Sequence, residues 1–83
     1  MQRIGRVLHI SPSRNVIVKI ENMPQIGAMV VDENLAVVGK VFEIFGSVSS
    51  PYAAIKPNIG NADKLVNKML YVLPSKRERR KKN

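Results

Sequence analysis

Six short stretches rich in valine and isoleucine, about 8 to 12 residues apart and separated by proline, glycine, asparagine and serine, point this 83-residue chain to an all-β fold. Ile4 to Ile10 is the first, and Ser11, Pro12, Ser13, Arg14 and Asn15 supply turn chemistry that pairs it with a second from Val16. There Val16, Val18 and Ile20 alternate with Ile17, Lys19 and Glu21, the period of a half-buried strand. Asn22 to Gly27, with Pro24, reads as a loop, Ala28 to Val31 as a short strand, and Asp32, Glu33 and Asn34 as a turn. A long strand follows from Leu35, with a bend or bulge at Gly39, until Gly46 to Pro51 breaks it. Tyr52 to Lys56 and Met69 to Leu73 complete the set, joined through a brief turn or helical piece at Asp63 to Asn67.

An open sheet of these strands would leave two unpaired edges and a bare face. A chain this short buries only about 60 to 65% of its unfolded surface and has no second layer to cover them. Closure into an antiparallel barrel solves both problems, with Ile4, Leu8, Val16, Val18, Ile20, Val30, Val41, Ile55 and Val72 as the expected core. No internal repeat is evident, and the only low-complexity stretch is the basic C-terminus.

The run Val37 to Pro57, VVGKVFEIFGSVSSPYAAIKP, holds more apolar side chains than one face of a strand can bury. Under simple alternation Val37, Val41 and Phe45 fall on one face and Val38, Phe42 and Ile44 on the other, so both faces ask for cover. The spare face is expected to meet another protein.

Charge is unevenly placed. Lys76, Arg77, Arg79, Arg80, Lys81 and Lys82 surround a single Glu78, so this block carries a net +5 of the chain's formal +8 and leaves +3 on residues 1 to 75. Residues 1–74 are therefore expected to form the barrel and 75–83 a disordered basic tail, suited either to nucleic-acid phosphate or simply to solvation. Six phosphate contacts on single-stranded RNA would give a log–log salt slope of about −4. No apolar run reaches the length of a membrane helix, no secretory signal precedes the first strand, and cysteine is absent. A soluble, cytoplasmic protein with no membrane partner is the expectation.

Nothing in the chain forms a catalytic or metal-ligating constellation. His9 is the single histidine and has no carboxylate or thiol beside it in sequence. Asp32 and Glu33 are better accounted for by a turn than by acid–base chemistry. Gly39 and Lys40 fail as a phosphate loop, because Val41 stands at the hydroxyl position and no glycine lies five residues before Gly39. Phe42, Phe45, Tyr52 and Tyr71 could stack on bases, but few cations are interleaved with them, which favours core packing or protein contact. No enzyme activity, metal or cofactor is expected.

The segments Val30–Asp32, Val38–Val41, Glu43–Gly46 and Pro51–Pro57 carry a resemblance. With the opening Arg3 to Val7, the closing Leu70 to Val72 and the basic tail, the chain resembles the Gar/Naf family of box H/ACA ribonucleoprotein subunits, on its archaeal Gar side. Ser47 stands where that family often has proline and Asn67 where it often has glycine, and the glycine–arginine repeats of eukaryotic members are missing, so nothing supports a nucleolar location. The resemblance implies a six-stranded barrel like those of translation factors. It also implies a subunit without its own active site, bound to the catalytic domain of a pseudouridine synthase. Such a subunit is expected to stay off the guide RNA, to act on a mobile synthase loop and so to affect the placement and release of substrate RNA. Guide and substrate RNA would be indirect partners, and the isolated protein a monomer.

Together with the over-apolar long strand, this makes Val38, Ile44, Phe45, Gly46, Val48, Pro51 and Tyr52 the expected partner-binding residues, Gly46 allowing close backbone approach. Core packing is the competing account for Val41, Phe42, Ile44, Val48 and Pro51. A free-standing RNA-binding barrel associated with the ribosome or rRNA is the second class of function. In it the tail would contact phosphate along with Arg3, Arg6, Arg14 and Lys19. An assembly factor of the same family, expected to carry long extensions, is a third.

Overall fold

Bulges, rather than simple alternation, decide which residues this barrel buries. The computed structural model describes residues 2–73, so the basic block Lys76 to Lys82 lies outside the described residues. Strands β1 (Gln2–Ile10), β2 (Val16–Ile20), β3 (Met29–Val31), β4 (Val37–Ser47), β5 (Ser50–Pro57) and β6 (Met69–Val72) close antiparallel in the order β1-β2-β5-β4-β3-β6, with a 3-10 turn at Ala62–Leu65 before β6. The expected six-stranded closed barrel is the fold. The expected break at Gly46 to Pro51 is narrower than that, because the β4–β5 ladder continues through Gly46↔Pro51 to Ser47↔Ser50 and only Val48 and Ser49 turn the chain.

In β4 the register against β3 skips Val38, since Val30 faces Gly39 and Val31 faces Val37. The register against β5 skips Phe42, between Val41↔Ile55 and Glu43↔Ala54. Each extra residue resets the face, so the inward positions fall three apart. Val38 and Val41 lie in the core, and Ile44 packs against it part-buried. The two-face conflict predicted by alternation is thereby resolved. Val38 and Val41 share the inside, while Val37, Phe42 and Phe45 stay exposed.

Strand β1 does the same. Its ladder with β6 skips Ile4 and its ladder with β2 skips Leu8. Ile4 and Val7 are buried, and Ile10 packs against the core part-buried, again at a spacing of three. Leu8, expected inside, is 42% exposed because it is the bulge residue.

This correspondence extends through the whole barrel. Ile4-Gly5-Arg6-Val7-Leu8-His9-Ile10 matches Val38-Gly39-Lys40-Val41-Phe42-Glu43-Ile44, residue for residue in place and in burial sense. Gly5↔Ile20, Arg6↔Lys19 and Val7↔Val18 correspond to Gly39↔Pro57, Lys40↔Lys56 and Val41↔Ile55. Met29↔Lys40 and Val30↔Gly39 correspond to Met69↔Arg6 and Leu70↔Gly5. Ile17↔Ala54 and Val31↔Tyr71 pair the halves with each other. The strand order is unchanged when β1, β2 and β3 are exchanged for β4, β5 and β6. The barrel is thus two copies of one three-stranded unit about an approximate two-fold axis, a repeat that the alternation pattern had hidden.

The copies share their exacting positions. A Cβ on Gly5 would overlap the carbonyl oxygen of Lys19, and one on Gly39 that of Lys56, so each bulge needs glycine to let the neighbouring strand close on it. Each unit also carries one left-handed residue before its third strand. Gly27 has φ +92 and its N–H donates to Val41, and Asn67 has φ +71 and its N–H donates to Val7, both through 2.8–2.9 Å bonds to the carbonyl oxygen. Asparagine is among the side chains best suited to that conformation, which accounts for Asn67 where the resembled family often has glycine.

Candidate protein-docking surface

The two units differ most where their hairpins end. In the first, β1 stops at Ile10, opposite Val16, and the five-residue loop Ser11 to Asn15 joins the strands. In the second, the corresponding pair Ile44↔Ala53 is followed by three more rungs, Phe45↔Tyr52, Gly46↔Pro51 and Ser47↔Ser50. The first unit closes its share of the barrel without such an extension, and the rungs past Phe45↔Tyr52, residues 46–51, lie beyond the last β2–β5 pair Lys19↔Tyr52.

This extension is a two-stranded ribbon. Strand β2 pairs with β5 only as far as Lys19↔Tyr52, and β3 pairs with β4 only between Val37 and Lys40, so beyond Tyr52 both outer edges of the ribbon are open. Pro51 lies past the last β2 rung, where its missing N–H costs no ladder bond. Ser47 Oγ accepts the Ser50 N–H at 3.1 Å and helps close the turn. Gly46, at φ +97, takes the left-handed kink, and a Cβ there would come within 3.0 Å of the Tyr52 ring and the Ser50 carbonyl.

Apolar side chains crown the ribbon, Val48 and Phe45 exposed and Pro51 and Tyr52 part-buried. Val48 at the tip is fully exposed, at 100% of its reference area. Phe45 is 41% exposed and stacks on Tyr52 with ring centroids 5.8 Å apart and planes 19° from parallel. Stacking presents the two rings as one rigid plate, and such pairs are worth about 0.5–1.5 kcal/mol beyond the area they bury. Leu8, His9, Ser11 and Ile17 join Phe45 and Tyr52 around one groove on the outer wall.

Of the expected partner-binding residues, Phe45, Gly46, Val48, Pro51 and Tyr52 therefore come together on the ribbon. Ile44 sits at its base and turns inward to pack on the core, as its counterpart Ile10 does in the first unit. Val38 is a correction. It is 1% exposed, holds the position of Ile4 at the far end of β4 and is a core residue with no surface to offer. Leu8 and Ile17 belong to the groove but were not anticipated. The signal for Leu8 lay in its match to Phe42, because both are bulge residues and both are exposed.

The cations available to a phosphate-binding wall are partly committed. Arg3 pairs with Glu21 at 3.3 Å and Arg14 with Asp63 at 3.7 Å, and Arg6 Nη1 donates to the Asn67 carbonyl at 3.0 Å. Lys19 makes no ion pair among the described residues and sits beside Tyr52. Among the described residues no group of three or more His, Asp or Glu side chains is placed to hold a metal ion, and no helix is long and apolar enough to cross a membrane.

Comparison with known proteins supplies the context for this surface. An uncharacterized protein of Methanothermobacter thermautotrophicus is 34% identical over 76 residues, which cover 87% of this chain and 83% of the relative. The model of the Gar1/Naf1 RNA binding region matches residues 1–79, nearly the full length. The barrel with its added ribbon belongs to the Gar1/Naf1 RNA-binding-region family.

Proposed function

We propose that this protein is a non-catalytic accessory subunit of an H/ACA ribonucleoprotein. It binds the pseudouridine synthase catalytic subunit through the β4–β5 ribbon and promotes RNA-guided pseudouridylation of rRNA in the cytoplasm by modulating how substrate RNA is placed and released. The observation that carries this reading is the extended hairpin on a barrel of this family. The stacked Phe45 and Tyr52 rings and the fully exposed Val48 put apolar surface on a hairpin whose edges are open beyond Tyr52. Exposed apolar clusters framed by polar surface mark protein contacts, and stacked aromatics are favoured anchors within them.

Docking through such a plate is driven by apolar burial and so resists salt, unlike phosphate binding. Capture of the purified protein by the synthase at low and high salt, with and without guide RNA, tests the reading. Retention at high salt without RNA is the expected result. Binding that requires RNA and collapses with salt would instead favour a free-standing RNA-binding barrel, the alternative suggested by the family's description as an RNA binding region.

A further inference from the structure

The two edges of the ribbon are not alike. On the β5 side, strand β2 covers the ladder as far as Tyr52, and the next residue outward, Pro51, has no N–H to offer. A proline so placed is one of the devices that keep a free strand edge from pairing with another chain. The β4 side has no such guard. The Val41 N–H donates to the Ala28 carbonyl at 3.0 Å and the Val41 carbonyl accepts the Gly27 N–H at 2.8 Å, and there the cover from the β3 side ends. Beyond the bulge at Phe42 the register with β5 runs unbroken from Glu43 to Ser47, and among the described residues this stretch pairs with no other strand. It holds no lysine, arginine or proline, and at about 3.3 Å per residue it runs for ~16 Å, close to the length of an ordinary strand.

Alternate residues of an antiparallel strand aim their N–H and C=O groups at opposite neighbours. Gly46 lies opposite Pro51, which has no donor, so this rung carries no ladder bonds and the peptide groups of Gly46 point away from β5. The first unit has the same sense. Ser11, the counterpart of Phe45, donates its N–H to the Asn15 carbonyl at 2.8 Å, so Phe45 bonds inward to β5 while Ile44 and Gly46 present N–H and C=O outward. Those outward groups have no backbone partner among the described residues.

We infer that the pseudouridine synthase lays an extended segment of its own along this edge as an added strand, pairing its backbone with Ile44 and Gly46. This rests on the docking reading of the ribbon and specifies how the docking is made. A row of donors and acceptors at strand spacing is matched by the backbone of another extended chain, not by phosphate or by a flat apolar face. The edge is also continuous with the apolar plate, since Phe45 lies on the same strand between Ile44 and Gly46 and Val48 on the turn that follows. Phe42 and Phe45 are exposed along it, so apolar residues at alternate positions of the incoming strand have side chains to pack against.

Hydrogen exchange of the full chain, read residue by residue, free and bound to the purified synthase without RNA, tests this. The Ile44 and Gly46 amides should exchange rapidly in the free chain and slow by about tenfold or more in the complex. Chemical synthesis of the chain with sarcosine in place of Gly46 removes the outward donor and sets a methyl group where the added strand lies. The urea midpoint should stay near wild type, because no ladder bond uses that N–H, and synthase binding should weaken by about tenfold or more. Should the midpoint fall, the exchange measurement decides. A complex that Val48→Asp weakens, but in which the Ile44 and Gly46 amides exchange as they do in the free chain, refutes strand addition and keeps docking through the plate. Absence of any complex at low and at high salt refutes both. Protection of the same two amides in the free chain that grows with protein concentration and accompanies a dimer mass assigns the edge to a second copy of this chain, and refutes the synthase as its occupant.

Discussion

Val48→Asp and Ile44→Asp place the same charge four residues apart, and their outcomes should differ sharply. Val48 is fully exposed at the tip of the ribbon, so an aspartate there loses no contact within the barrel and the stability should change by no more than about 0.5 kcal/mol. In a docked complex the same side chain would be desolvated. A fully buried valine contributes about 1.5–3 kcal/mol, and each 1.4 kcal/mol is about tenfold in affinity, so losing it weakens synthase binding by roughly 10- to 100-fold before the cost of burying the new carboxylate is added. Ile44 packs on the core opposite Ala53, and a carboxylate at that position costs several kcal/mol of folding free energy. Against a stability of roughly 4–12 kcal/mol for a chain of this size, Ile44→Asp should lower the urea midpoint sharply, whereas Val48→Asp should leave it in place. Isothermal titration against the synthase, paired with urea denaturation of each variant, separates the two effects. The docking argument is refuted if Val48→Asp keeps a cooperative wild-type transition and still binds within twofold of wild type at high salt.

Further perturbations test the barrel that presents this surface. Gly39→Ala should cost about 3 kcal/mol or more in urea denaturation, because the new Cβ must push back the Lys56 carbonyl and break ladder bonds on either side, whereas Gly60→Ala, with open space around it, should be close to neutral. A similar midpoint for the two variants would mean the strands separate at Gly39 at no cost. Val38→Ala should lower stability by about 1.5–3 kcal/mol and leave synthase affinity per folded molecule unchanged, as befits a core residue. A loss of affinity without a loss of stability would return Val38 to the interface.

The strands and their closure were legible because turn residues punctuate them and because a chain of 83 residues has no other way to protect two sheet edges. The orientation of side chains along the two long strands was not. Alternation predicts a period of two, and a bulge at Val38 and another at Phe42 convert that to three, so Val38 moved from the expected surface to the core. The same device on β1 moved Leu8 the other way. Gly5 and Gly39 mark these positions in the sequence, and the match of IGRVLHI with VGKVFEI records the duplication directly. It escapes notice because the match is confined to one seven-residue segment, in which three residues are identical and three more preserve only a cation or apolar character at fixed intervals. The candidate surface was partly legible. Phe45, Gly46, Val48, Pro51 and Tyr52 stood out as apolar or turn-forming residues clustered about a strand end, while the contribution of Ile17 depends on which strands become neighbours once the barrel closes.

Strand β3 spans only Met29 to Val31, yet it alone ties β4 to β6 and completes the ring. Breathing of the barrel should therefore begin there, with the amides of the β3–β6 seam exchanging with deuterium ahead of those in the long β4–β5 ladder. The barrel would then open first along its shortest strand, on the side away from the long hairpin's own pairing, before the ring as a whole gives way.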